Sequence, residues 1–208
     1  MNLQKLKHAQ KQFFSAYPGG FSHPDMIAIG KKHNVHKLAD FCVESFAEER
    51  FNQPDELLDN WVKVVSRSSM ISLFEKPKFK GFINTAMGDE RKVLVDSLYE
   101  ILHGKASIGF SLQCDLLKRD KLAKWTLISA VPAYYRLHDE IFMKPNTVKG
   151  IIAYFELPDL LYKPSPSWAF YQHYRAQILQ MKAHIDESLK PNNPAFCGFL
   201  MMSLPNAK

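Results

Sequence analysis

An all-α fold is predicted for this chain by three observations. Apolar residues recur with helical period along nearly all of it, no stretch longer than four residues alternates apolar with polar, and no strand-helix-strand spacing occurs. Together they predict a compact globular bundle of about nine or ten helices with short connections. Residues 1–208 read as a single all-helical domain, with room for a minor subdivision near 104.

The first helix is predicted over residues 3–16, with Leu3, Leu6, Phe13 and Phe14 on one side and Lys5, Lys7, Lys11 and Gln12 around the rest. Pro18-Gly19-Gly20 then reverses the chain, as glycine permits. Ser22-x-x-Asp25 reads as a capping-box start with Pro24 in the first turn, and Phe21 packs on Met26 or Ile27 as a staple. Over residues 35–51, Val35, Leu38, Ala39, Cys42 and Phe46 form an inward stripe, with Lys37, Asp40, Glu44 and Glu48 opposite. Asn52 caps the next helix, Pro54, Asp55 and Glu56 fill its first turn, and Leu57, Leu58, Trp61, Val64 and Val65 supply its buried face.

After Glu75, KPKFKG reads as a basic loop, followed by a short helical piece from Phe82 to Met87. Gly88-Asp89 opens a helix with the stripe Val93, Leu94, Leu98, Ile101 and Leu102, and Gly104 ends it. Residues 106–118 and 121–142 read as two more helices, the second kinked or broken at Pro132. Pro145-Asn146-Thr147 starts another, carrying Val148, Ile151, Ile152 and Phe155. Ser165-Pro166 reads as a cap and first helical position of a long helix running to about Leu189, and PNNPAF leads into a short apolar C-terminal helix.

Hydrophobic residues at 46% and charged residues at 23% are values of an ordinary globular chain, which sets aside disorder. No apolar run approaches the about 18 residues that a membrane span needs, so no membrane partner is expected. Cys42, Cys114 and Cys197 are widely separated and form no CxxC pair, which suits a reducing compartment and predicts a cytoplasmic, bacterial-type protein. Net charge is +6, and the excess lies in the second half. Residues 1–104 hold 14 basic against 13 acidic residues, and residues 105–208 hold 13 against 8. A basic half favours anionic partners.

His33, His36 and Asp40 have spacings that one helix could bring together, but a cap at Asn34 puts His33 outside, so a solvated helix start is favoured and no metal is expected. No cofactor is expected either, since neither GxxxxGK[ST] nor GxGxxG occurs. No GxSxG elbow occurs, and no His stands near Cys114 to activate it. Ser22 and His23, at a helix start behind the two glycines, form a weak candidate anion site.

Two segments hold denser chemistry. KWTLISAVPAYYRLHDEIFMKPNTVK, residues 124–149, places Tyr134, Tyr135, Arg136, His138, Asp139, Glu140 and Lys144 after a proline; helical core with solvated charges is the favoured use, and an enzyme would draw on Asp139, Glu140, His138 and Lys144. YKPSPSWAFYQHYR, residues 162–175, interleaves aromatics with Lys163 and Arg175; inward core stripes are the favoured use, and the alternative is a stacking platform built on Trp168 and Tyr171. A nucleic-acid surface drawn from both segments comprises Lys124, Arg136, Lys144, Lys149, Lys163, Trp168, Tyr171 and Arg175.

FMKPNTV, residues 142–148, and YKPSPSW, residues 162–168, resemble an uncharacterised bacterial family with F-L-K-P and Y-x-P-x-x-x-W elements; Ser167 stands where that pattern has asparagine. The resemblance covers the C-terminal third and implies a grouping without an activity. A fold-level analogy to helix-hairpin-helix DNA glycosylases would set Ala130-Val131-Pro132-Ala133 in place of the hairpin and Asp139 as the catalytic aspartate, although no glycine is present there. The expected function is therefore a non-catalytic binding protein with nucleic acid as the leading partner. The alternatives are a glycosylase-type repair enzyme using Asp139, and a protein-interaction module whose C-terminal helix completes a partner or a second copy.

Overall fold

A computed structural model describes residues 1–205, and its regular elements are all helical. Helix α1 spans Leu3–Ala16, capped by the Asn2 side chain, which accepts from the Lys5 N–H. It buries Leu6, Ala9 and Phe13. Gly19 and Gly20, both at positive φ, turn the chain into a single 3₁₀ turn over Gly20–Ser22. Helix α2, Pro24–His33, follows; Asn34 in the left-handed region separates it from α3, Val35–Ser45.

Helix α4 is Pro54–Arg67, and Leu57, Leu58, Trp61, Val64 and Val65 are all buried as their spacing predicts. Then come α5 (Glu75–Thr85), α6 (Asp89–Leu102) and α7 (Ala106–Lys118). Helices α6 and α7 pack across the turn at residue 104 in backbone contact. Gly109 makes this possible, because a Cβ there would overlap the Ser97 carbonyl oxygen and the Ile101 backbone.

Helix α8, Trp125–Tyr135, is the centre of the fold: every residue from Trp125 to Tyr134 is buried, and the helix packs against α3, α4, α6 and α7. A helix apolar on all sides belongs in the interior. Pro132 lies inside it without ending it. The proline deprives only the Ile128 carbonyl of its partner, and the Arg136 N–H still closes on the Pro132 carbonyl at 2.9 Å. Helix α9 is Pro145–Tyr154, α10 is Trp168–Lys182, and α11 is Asn193–Met202.

The all-α expectation holds, while several boundaries move for identifiable reasons. The predicted helix over 35–51 stops at Ser45, because the His103 ring takes the Phe46 carbonyl at 2.9 Å and a 3₁₀ turn follows over Glu48–Asn52. Pro24 and Pro54 each keep the preceding residue out of helical geometry. His23 and Gln53 therefore occupy the N-cap positions that the sequence assigns to Ser22 and Asn52.

KPKFKG is helical, not a loop: Pro77 falls in the first turn of α5, where its missing N–H costs nothing, and Phe79, Phe82 and Ile83 bury the helix. The predicted helix over 121–142 is shortened at both ends to α8. Helix α10 starts two residues later than predicted, at a cap formed by Ser167 on the Phe170 N–H. It ends at Lys182, with a turn and a 3₁₀ piece, Glu187–Leu189, replacing its last part.

Candidate functional site

The segment between α8 and α9 is tied to α10 by an internal acid. Glu140 is 8% exposed, and its carboxylate accepts from the Tyr171 hydroxyl at 2.7 Å and from the Arg175 guanidinium at 2.9 Å. The Tyr171 oxygen also accepts from the Ile141 N–H at 3.2 Å. Asn193 at the start of α11 donates to the Glu140 carbonyl at 3.0 Å, and its own N–H closes on Leu137. Burial, reinforced by the neighbouring Glu140 charge, holds the Tyr171 phenol well above its ordinary pKa, so it stays a proton donor to that carboxylate. The void beside Glu140 measures about 10 Å³, room for no more than one water.

This arrangement separates the acid-base candidates. Glu140 is committed to two donors, whereas His138 and Asp139 face solvent. Ala130, Val131, Pro132 and Ala133, the proposed hairpin equivalent, lie buried inside α8 and present no backbone to a phosphate. The thiols are pushed up by burial, Cys114 and Cys197 to about 12 and Cys42 further, which keeps them protonated and poorly nucleophilic at neutral pH.

The predicted aromatic platform is mostly interior. Tyr171 is buried against Phe110, and Trp168 is half-buried between Phe110 and Tyr171, at ring distances of 5.7 and 5.8 Å. Arg175 is held by Glu140, and Arg136 donates to the Leu102 carbonyl beside the Tyr135 ring. These four side chains are therefore engaged within the fold.

The predicted lysines are placed differently. The Trp125 indole donates to the Lys163 carbonyl at 2.8 Å, and the Tyr162 ring packs 6.5 Å from Trp125 with the Lys149 ammonium 5.8 Å above it. Lys124, Lys149 and Lys163 thus gather, all exposed, around one aromatic pair. Lys144 stands at the N-cap position of α9 without bonding it through its side chain, five residues before Lys149, a rise of about 7.5 Å along the helix. It lies close enough to His33 to lower the imidazole pKa, together with Lys32 and after burial as the largest cause. The His33 ring is hydrogen-bonded to Ser69 at 2.8 Å.

His33, Lys32 and Ser69 are the members of this surface that sequence reasoning missed. The basic end of α2, Lys31-Lys32-His33, was a visible signal, but nothing in the sequence joins it to Lys144.

Ser22 and His23 form a closed helix start. The His23 ring accepts from the Asp25 N–H at 3.2 Å, and the Asp25 carboxylate lies 3.7 Å from it, where it would repel an incoming anion. His36 and Asp40 are exposed on α3. The C-terminal helix α11 uses its apolar face in the protein's own core through Phe196, Phe199 and Leu200. Among the described residues no helix is long and apolar enough to cross a membrane.

No family model, curated protein sequence or solved structure matches the chain.

Proposed function

We propose that the protein is a non-catalytic binding protein whose ligand is the phosphate backbone of nucleic acid, held by Lys32, Lys124, Lys144, Lys149 and Lys163. One observation carries this reading. Among the described residues, the ion pairs of lysine and arginine involve Lys5, Arg91, Arg119, Arg175 and Lys190, so none of the five lysines of the proposed surface has a carboxylate within 4 Å. Exposed cations without a carboxylate partner carry counterions that a polyanion can displace. The crowding of Lys144 and Lys32 on His33 is what a phosphate between them would relieve.

The test is fluorescence anisotropy of labelled DNA, single- and double-stranded, across a salt series. Affinity is expected to fall steeply as salt rises, and Lys144→Gln or Lys149→Gln should each reduce the slope of log K against log salt by about one. Absence of binding at low salt would sink the proposal.

A further inference from the structure

The loop between α4 and α5, residues 68–74, carries the two most exposed large apolar side chains of the described residues, Phe74 at 83% and Leu73 at 78%. Their exposure is built in. The loop starts at the buried Ser68, whose hydroxyl bonds the Tyr134 hydroxyl at 2.8 Å, and Ser69 bonds His33. Ile71 is buried, and the Ser72 side chain and carbonyl accept from the Phe74 and Glu75 N–H groups. At the far end, Glu75 accepts from the Thr126 hydroxyl at 2.9 Å, two residues from Lys124. The loop therefore bridges the two halves of the basic surface, with His33, Lys32 and Lys144 at one end and Lys124 at the other. Lys76, Lys78 and Lys80 follow immediately on α5.

We propose that Phe74, with Leu73 beside it, is the base-contacting element of this surface, and that the nucleic acid it takes is single-stranded, with an unpaired base stacked on the Phe74 ring while the flanking lysines hold the phosphates. This rests on the function proposed above and adds to it a substrate class and a residue. An aromatic ring amid cations is the combination that sequence-tolerant single-strand binders use. A membrane surface fits less well, because interfacial segments bury a continuous apolar face. Here the pair stands alone between Ser72 and the carboxylate of Glu75.

The experiment compares the wild type with Phe74→Ala and Leu73→Ser, using a labelled mixed-sequence single strand, the corresponding duplex, and vesicles of phosphatidylserine and phosphatidylcholine. Both side chains are exposed, so melting curves should be unchanged. Tighter binding of single strand than of duplex by the wild type is expected, with a loss of about tenfold for the single strand in Phe74→Ala and no change in salt slope. Equal affinity of Phe74→Ala and wild type for the single strand overturns the inference while leaving the proposed function standing. Equal losses on single strand and duplex overturn the single-strand assignment, because a wedge between stacked base pairs acts that way. Vesicle binding that depends on Phe74, without oligonucleotide binding, overturns both proposals.

Discussion

Glu140 and Lys144 lie four residues apart and treat charge in opposite ways. The acid is drawn inside and answered by Tyr171 and Arg175, so its charge goes into fixing the α8–α9 segment on α10. The base is left at the surface, beside His33, and no carboxylate answers it among the described residues. Within one connecting segment, then, the acid is structural and the base is available. A charge-rich stretch cannot be assigned a use as a whole; each charge has its own partner or lacks one.

The largest test of this contrast acts on the inside. Replacing Arg175 by Met leaves the Glu140 carboxylate buried with only the Tyr171 hydroxyl, and breaking such a pair should cost about 3 kcal/mol in urea unfolding. A cost below about 1 kcal/mol would mean that the junction is a surface-like pair and would remove the contrast. Tyr171→Phe is the intermediate case. It deletes the donor to Glu140 and the acceptor of the Ile141 N–H, with an expected loss of about 1–2 kcal/mol by the same measurement.

The smallest effect is on the outside and depends on pH. The folded His33 pKa lies below its ordinary value of 6.5, so the unfolded chain binds the proton first. Stability should therefore be unaffected above that value, fall as pH drops through it, and level off below the folded pKa. His33→Gln should lose this component. Urea midpoints between about pH 7.5 and about pH 5 would show it as a shallower decline in the variant.

Much of the fold was legible because burial writes a period into the sequence. The stripes at Leu57–Val65 and Leu94–Leu102 lie where their spacing predicts, and Gly88-Asp89 opens its helix as expected. Two kinds of boundary were misplaced. Where proline stands at the first helical position, the cap is the residue just before it, His23 or Gln53, although neither has the usual capping side chain. Where a helix ends because a distant group takes its carbonyl, as His103 does at Phe46, no local signal exists.

The surface divides the same way. Lys124, Lys144, Lys149 and Lys163 could be named from charge and neighbourhood. Which of the accompanying aromatics and arginines were occupied depended on Phe110 for Trp168 and Tyr171, on Glu140 for Arg175 and on the Leu102 carbonyl for Arg136, contacts that no local pattern announces. The contribution of His33 and Ser69 needed a contact between α2 and the loop 68–74, separated by 36 residues. Leu73 and Phe74 stand out only once the neighbouring lysine run is known to be helix, since they then have no stripe to join.

Helix α1 is fastened to parts of the chain made much later. The Asn2 N–H closes on the Phe155 carbonyl, Lys5 pairs with Glu156, Gln10 accepts from the Asp186 N–H, and Phe13 meets the edge of Phe199. During synthesis its apolar stripe leaves the ribosome well before any of those partners exists. Phe13 can meet Tyr17 and Phe21 at once, but its cover by Phe199 must wait, in water or in a chaperone's grip, until α11 emerges.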